Sequence, residues 1–320
     1  MHETIRVTGT ENPIVREYRS RPDVFRMLCW FASSLTVLLL AFILGEILFK
    51  AWPAMQRFGF GFITGVKWSP NREVFGVLPV LIGTAASSLL ALCLALPLGL
   101  AIALFLSEDF LPSGIRQTIR FVVELLAAIP SVVYGLWGIA VVIPLVQNYG
   151  GILAEKLGFL PIFKGPAYGN SLLTASLVLA LMILPTITAI SRTSLVAVPY
   201  ALREGAYALG ATRWESILGV ILPTAAPGIV AASILAFGRA MGETMAVAML
   251  IGNSQRLSCS LLSPSNTLSA LLANQFAEAD GIQVNALMYA ALLLVFMTLG
   301  VNVLGEAVLR HTQRATEGLR

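Results

Sequence analysis

The chain has 320 residues, 57% of them hydrophobic and 12% charged, with a net formal charge of +4. A typical soluble domain carries about 25% charged residues, so this composition excludes a soluble globular enzyme as the bulk of the chain. Three cysteines without metal-binding spacing and two histidines, His2 and His311, in opposite tails leave no basis for a metal centre or a histidine-based catalytic centre.

Residues 1–27 form a polar tail with five arginines, and the first apolar run then covers about 28–49. That run is longer than the core of a cleavable signal peptide, so it reads as an anchored first span. The second run, 76–106, carries Gly83, Ser87, Ala91, Ala95, Gly99 and Ala103 at every fourth position. Such a ridge of small residues lets helix backbones approach closely in lipid. The third run, 121–146, contains Glu124-Leu-Leu-Ala-Ala-Ile-Pro-Ser-Val-Val-Tyr-Gly-Leu-Trp-Gly138. Pro130 removes a backbone donor there and predicts a bent or broken helix. Freed backbone groups at membrane depth are tolerated beside protein or water, so Ser131 and Tyr134 are candidates to face a pathway, with a kinked packing helix as the plainer alternative. Glu124 and Arg192 lie near predicted inner ends of spans, where long polar side chains reach the interface. Glu46 and Glu306 also lie near span ends and are given no role.

The fourth run is 171–198. After it, Val198 to Pro223 combines helix-forming residues at 200–209, a glycine suited to a left-handed turn at Gly210, and a second short helix ending at Pro223. The result is a helix-turn-helix elbow with an apolar face, of the kind that lies in a partner's groove. The fifth run, 223–251, holds Phe237-Gly-Arg-Ala-Met-Gly-Glu-Thr-Met245. Arg239 and Glu243 are its only ionisable residues. On a continuous helix they would share a face, one turn apart. Charge at bilayer depth is costly and faces a pathway or a partner, so this pair is the leading functional candidate, with a structural ion pair as the alternative. Gly228, Ala232, Ala236 and Ala240 form a second small-residue stripe, read either as packing or as the wall of a narrow path. A sixth run covers 284–309, and 310–320 is a short tail.

These runs define an all-α membrane protein with six transmembrane helices in one domain, 28–309, with a connecting loop at 199–223. A span needs roughly 20 apolar residues. Thirteen Lys and Arg lie on the side of the two termini and seven on the other, which predicts cytoplasmic termini. No Gly-x-x-x-x-Gly-Lys-Ser/Thr loop is present, so ATP hydrolysis by this chain itself is not expected.

The elbow resembles the coupling loop of ABC importer permeases, with the pattern Glu-Ala-Ala, three residues, Gly, nine residues, Ile-x-Leu-Pro. Glu204, Ala206, Gly210, Leu222 and Pro223 fall on it, while Gly205 and Val220 depart from it. Phe75-Gly-Val-Leu-Pro79 with Gly83-Thr84, the Ile-Pro-Ser-Val-Val-Tyr-Gly-Leu-Trp-Gly run and Arg239-Ala-Met-Gly-Glu-Thr244 are together similar to the PstC-type permease family of phosphate ABC importers. The resemblance covers about residues 25–312. It implies a type I importer core of five spans plus one N-terminal span, in a bacterial cytoplasmic membrane. It implies a second homologous permease, two ATPase subunits that bind ATP and Mg, and an extracytoplasmic phosphate-binding protein. No cofactor is expected in this chain. Arg239 would then contact phosphate, with Glu243 holding it. The alternatives are a permease for sulfate or molybdate, and an ATPase-independent secondary transporter. The latter class is built from inverted repeats and paired broken helices, and neither is expected from this sequence.

Overall fold

A computed structural model describes residues 24–108, 110–157 and 159–317. Among the described residues the secondary structure is helical, with one isolated antiparallel bridge, Ser69 to Val74, and no strand. Most of the predicted tail 1–27 lies outside the described residues. The predicted tail 310–320 is helical as far as Glu317.

Among the described residues, six helices are long and apolar enough to cross a membrane. The first, α1 (Val24–Phe58), contributes to two compact units. Residues up to Glu46 form one unit, an apolar helix whose described side chains are exposed all round. The second unit begins at Ile47 and contains the rest of the described chain. It continues with α2 (Gly61–Thr64), α3 (Leu78–Ser107) and α4 (Ser113–Ala128). Next come α5 (Ser131–Trp137), α6 (Ile143–Leu157), α7 (Leu172–Val196), α8 (Tyr200–Ala208) and α9 (Arg213–Ser216). The chain ends with α10 (Leu222–Gly242), α11 (Met245–Leu250), α12 (Leu268–Gln275) and α13 (Ile282–Glu317).

The core of this unit is the packing of α3, α7 and α10. All six small residues of the α3 stripe are buried. A Cβ at Gly99 would lie 2.9 Å from the Ile187 side chain, and one at Gly83 would overlap the Asn266 carbonyl. The α10 stripe does the same work: Ala232, Ala236 and Ala240 are buried, and a Cβ at Gly228 would collide with Ser194 on α7. Both stripes are therefore packing surfaces, and the path-wall reading of the α10 stripe is not supported. In lipid, where apolar burial gives helices no reason to associate, such close approach supplies the van der Waals attraction that holds them.

Two spans depart from the predicted outlines. The run 121–146 is not one helix. Its chain leaves α4 at Ala128, passes through extended Ile129 and Pro130, and starts α5 at Ser131. The membrane-length helix here is Ser131–Lys156, through a π-turn at Gly138–Val142. The fifth span begins earlier than predicted and breaks before its predicted end: the helix is continuous over Arg213–Gly242, and α11 is a separate piece. Pro223 does not end the second helix of the elbow. A π-turn at Ile217–Ile221 precedes it, and the wider turn accommodates a residue that lacks an N–H. The molecule therefore has two broken spans where none was expected as a pair.

Candidate functional site in the broken spans

The two breaks lie side by side because α5 packs on α11. Gly135 faces Met249 and Ala246, and Gly138 faces Leu250, each closer than a Cβ would allow. At the first break, Pro130 precedes α5 in extended conformation, and the buried Tyr134 hydroxyl donates to the Leu126 carbonyl at 2.8 Å. Pro130 has no N–H for the Leu126 carbonyl, and Tyr134 replaces it. The Tyr134 hydroxyl is thus committed to the backbone. Ser131, half-buried at the first position of α5, stands at the mouth of the break.

The second break follows Gly242. Glu243 is extended (φ −67°, ψ 128°), which ends α10. Its carbonyl accepts from the Ser269 hydroxyl at 2.8 Å, and the Thr244 hydroxyl donates to the Gly242 carbonyl at 3.1 Å. Ser269 belongs to α12, whose Leu268 N–H donates to Thr84 on α3 at 2.9 Å. A chain of hydroxyls from α3 through α12 therefore satisfies backbone that a continuous helix would have satisfied itself.

Arg239 sits in the last turn of α10, exposed on the surface of the single chain. Its guanidinium donates to the Thr186 hydroxyl at 3.4 Å. The expected ion pair with half-buried Glu243 is absent among the described residues. The helix stops between the two residues, so the one-turn spacing on which the pair depended does not exist. Arg239 is a cation held by a neutral hydroxyl. Thr186 lies about 21 Å along a helix of about 37 Å, so the cation sits well inside the span. Thr186 was missed from sequence, although its place after Pro185 in the middle of an apolar run was a signal.

At the other candidate region, the structure forms the expected elbow. Helix α8 ends in a Schellman turn: Gly210 N–H donates to Tyr207 O at 2.9 Å and Ala211 N–H to Ala206 O at 3.1 Å. Gly210 has φ +84°, the left-handed value that glycine adopts without strain. Thr212 and Glu215 form a capping box at the start of α9. Ala206 is buried, whereas Glu204, Gly210 and Pro223 are exposed and Leu222 is half-buried. Sequence reading missed two braces. Arg203 on α8 forms an ion pair with Glu108 just after α3, both side chains 12% exposed, and donates to the Leu195 carbonyl at 2.9 Å. Phe110 stacks on Trp214 with centroids 5.3 Å apart.

Residues 95–318 match the family described as binding-protein-dependent transport system inner membrane component, and the chain belongs to that family. It is 40% identical over 297 residues to the phosphate transport system permease protein PstC of Haemophilus influenzae, covering 91% of this chain and 94% of that one. The PstC of Mesorhizobium japonicum is 38% identical over 316 residues, covering 97% and 96%. Among solved structures, a bacterial alginate ABC transporter aligns with TM-score 0.63 at 16% identity, over 90% of this chain and 96% of that one. The MetNI methionine ABC transporter in an inward-facing form aligns with TM-score 0.58 at 18% identity, over 74% and 95%. These two likenesses establish the fold, that of ABC importer permeases. The two broken spans thus belong to an importer permease, and the secondary-transporter alternative falls.

Proposed function

We propose that this chain is the permease subunit of an ATP-driven importer for inorganic phosphate, and that Arg239 contacts the anion in transit. One observation carries the reading: the guanidinium of Arg239 lies at a break in a membrane span with a neutral hydroxyl for a partner. An arginine stays charged and matches phosphate oxygens with a planar fork of N–H donors. With no carboxylate bound to it among the described residues, its fork is available to an entering anion. Thr186 orients the guanidinium and offers a second polar contact. Glu243, next to the site but not paired with Arg239, adds negative charge that weakens anion binding, which favours release, since transport requires weak as well as selective binding. Ser131 lines the approach from the other broken span.

Arg239 is exposed on the single chain, so the site needs a second permease to close it. The proposed assembly is a heterodimer of homologous permeases with two ATPase subunits, which bind ATP and Mg, and an extracytoplasmic phosphate-binding protein. The elbow carries the ATPase contact. Leu209 is 91% exposed and Tyr200 72% exposed, an apolar tip that a partner's groove would cover. The elbow side is then cytoplasmic, in agreement with the charge distribution.

The test is ATP-dependent uptake of labelled phosphate into vesicles carrying all four subunit types, with sulfate and arsenate as competitors. Phosphate uptake inhibited by arsenate but not sulfate is expected. Uptake that follows sulfate instead would overturn the substrate assignment.

A further inference from the structure

A hollow of about 400 Å³ lies between the C-terminal ends of α3 and α7 and the N-terminal half of α4. Among the described residues three arginines line it, Arg116, Arg120 and Arg192, with one carboxylate, Glu124; the Nη2 of Arg116 donates to the Leu111 carbonyl at 3.4 Å. Arg116 and Arg192 are half-buried between the helices. The Nε of Arg192 donates to the Leu106 carbonyl at 3.5 Å, and the Nε of Arg120 binds Glu124 at 2.8 Å. Both bonds use the inner nitrogen of the fork and leave the terminal N–H groups of these two arginines for a ligand. Helix α4 begins in the same hollow at Ser113, with no side-chain cap and no acidic residue in its first turn. Its unpaired first N–H groups and its dipole add to the positive field. Three cations and a helix N-terminus converging on one cavity make a site for an anion with several oxygens.

We propose that this hollow binds a phosphate group. The inference rests on the transport reading for the placement of the elbow side in the cytoplasm and, where free phosphate is the ligand, for the central site at Arg239. Two sources supply that chemistry. Basic pockets between membrane helices on the cytoplasmic side hold anionic lipid headgroups, and α4 offers acyl chains the exposed side chains of Ile115, Phe121, Val122 and Leu125. Arg192 is also about 9 Å along α7 from Thr186, so the hollow is equally placed to receive inorganic phosphate leaving the central site.

The experiment uses the assembled complex in detergent. Native mass spectrometry with added phosphatidylglycerol or phosphatidylcholine reads lipid retention. Equilibrium dialysis of labelled inorganic phosphate, on complex carrying Arg239→Gln to silence the central site, reads the free anion. In the lipid arm, Arg116→Gln/Arg192→Gln is expected to lower phosphatidylglycerol retention roughly 30-fold, at about tenfold per 1.4 kcal/mol and about 1 kcal/mol per basic residue, with phosphatidylcholine unchanged. If the free anion is the ligand, the same double change abolishes the dialysis signal instead. Should that variant fail to assemble, Gln117→Glu puts a carboxylate at the exposed rim and is expected to lower retention about fivefold. No specific retention of either ligand by the unmodified complex, or retention indifferent to these substitutions, overturns the proposal. Uptake is measured on the same preparations. Intact uptake with no retention removes only this site, and intact retention with no phosphate uptake removes only the transport reading.

Discussion

The elbow at 199–223 and the break at 243–244 both interrupt helical structure, and they satisfy the interruption in opposite ways. The elbow closes on itself: a Schellman turn, a capping box and the Arg203–Glu108 ion pair use local bonds and one neighbour. The break is held from outside, by Ser269 on α12, which is itself anchored to Thr84. The elbow leaves apolar side chains uncovered, and the break leaves a charge unpaired. A unit that transmits force to a partner must be rigid in itself. A site that an ion enters and leaves must keep a group unsatisfied, with its geometry set by the surrounding helices.

The sharpest way to break this comparison is at Arg239. Arg239→Gln removes the cation and keeps a hydrogen-bonding amide. A contact made of charge-assisted hydrogen bonds is worth about 1.5–3 kcal/mol each, so phosphate uptake is expected to fall about 100-fold with assembly and basal ATP hydrolysis retained. Glu243→Gln should change uptake only a few-fold, because no ion pair is lost. The double change should behave like Arg239→Gln alone. If Glu243→Gln proves as damaging as Arg239→Gln, the two residues act as a pair and the described geometry is not the working one.

On the elbow side, Arg203→Ala strands Glu108 in a mostly buried position. Breaking such a pair costs about 3 kcal/mol, the low end for a buried pair, and phosphate-stimulated ATP hydrolysis should fall severalfold while central-site phosphate binding, measured by dialysis, does not. Exchanging the two charges, Glu108→Arg with Arg203→Glu, should restore part of the coupling. Failure of the exchange to restore any would leave the Leu195 carbonyl contact as the important one. An effect on assembly is expected from Gly210→Val. A left-handed β-branched residue costs about 1–2 kcal/mol, enough to reduce ATPase binding about tenfold in a pull-down from membranes that contain normal amounts of the permease.

Much of this was legible in the residues. Six apolar runs gave six spans, since span length follows from bilayer thickness. Gly210 and the spacing around it gave the elbow, because its bonds are local. Pro130 marked the first break. The second break was hidden: Ala240-Met-Gly-Glu-Thr244 contains no proline, and the interruption depends on hydroxyls from helices far away in sequence. The missed break also created the false ion pair, since i to i+4 spacing has meaning only inside a helix. Pro223 misled in the other direction, because a π-turn absorbed it. The Glu108–Arg203 brace joins residues 95 apart, beyond the reach of any local pattern.

The smallest predicted effect tests how the first break is held. Tyr134 and Ser131 looked equivalent as hydroxyl donors to a path, but Tyr134 is 6% exposed and bonded to Leu126 while Ser131 stands half-buried at the mouth. Tyr134→Phe removes one neutral hydrogen bond and leaves the carbonyl of Leu126 with less compensation, a cost of about 1 kcal/mol. Thermal unfolding of the detergent-solubilised complex should therefore begin a few degrees lower, with phosphate uptake within about twofold of normal. A single cysteine at Ser131 should react with a water-soluble thiol reagent at a rate that changes with added nucleotide. A single cysteine at Tyr134 should react slowly in every state. If Tyr134→Phe abolishes uptake without lowering the unfolding temperature, the phenol acts on the anion itself, and both breaks, not only the second, expose groups for the substrate.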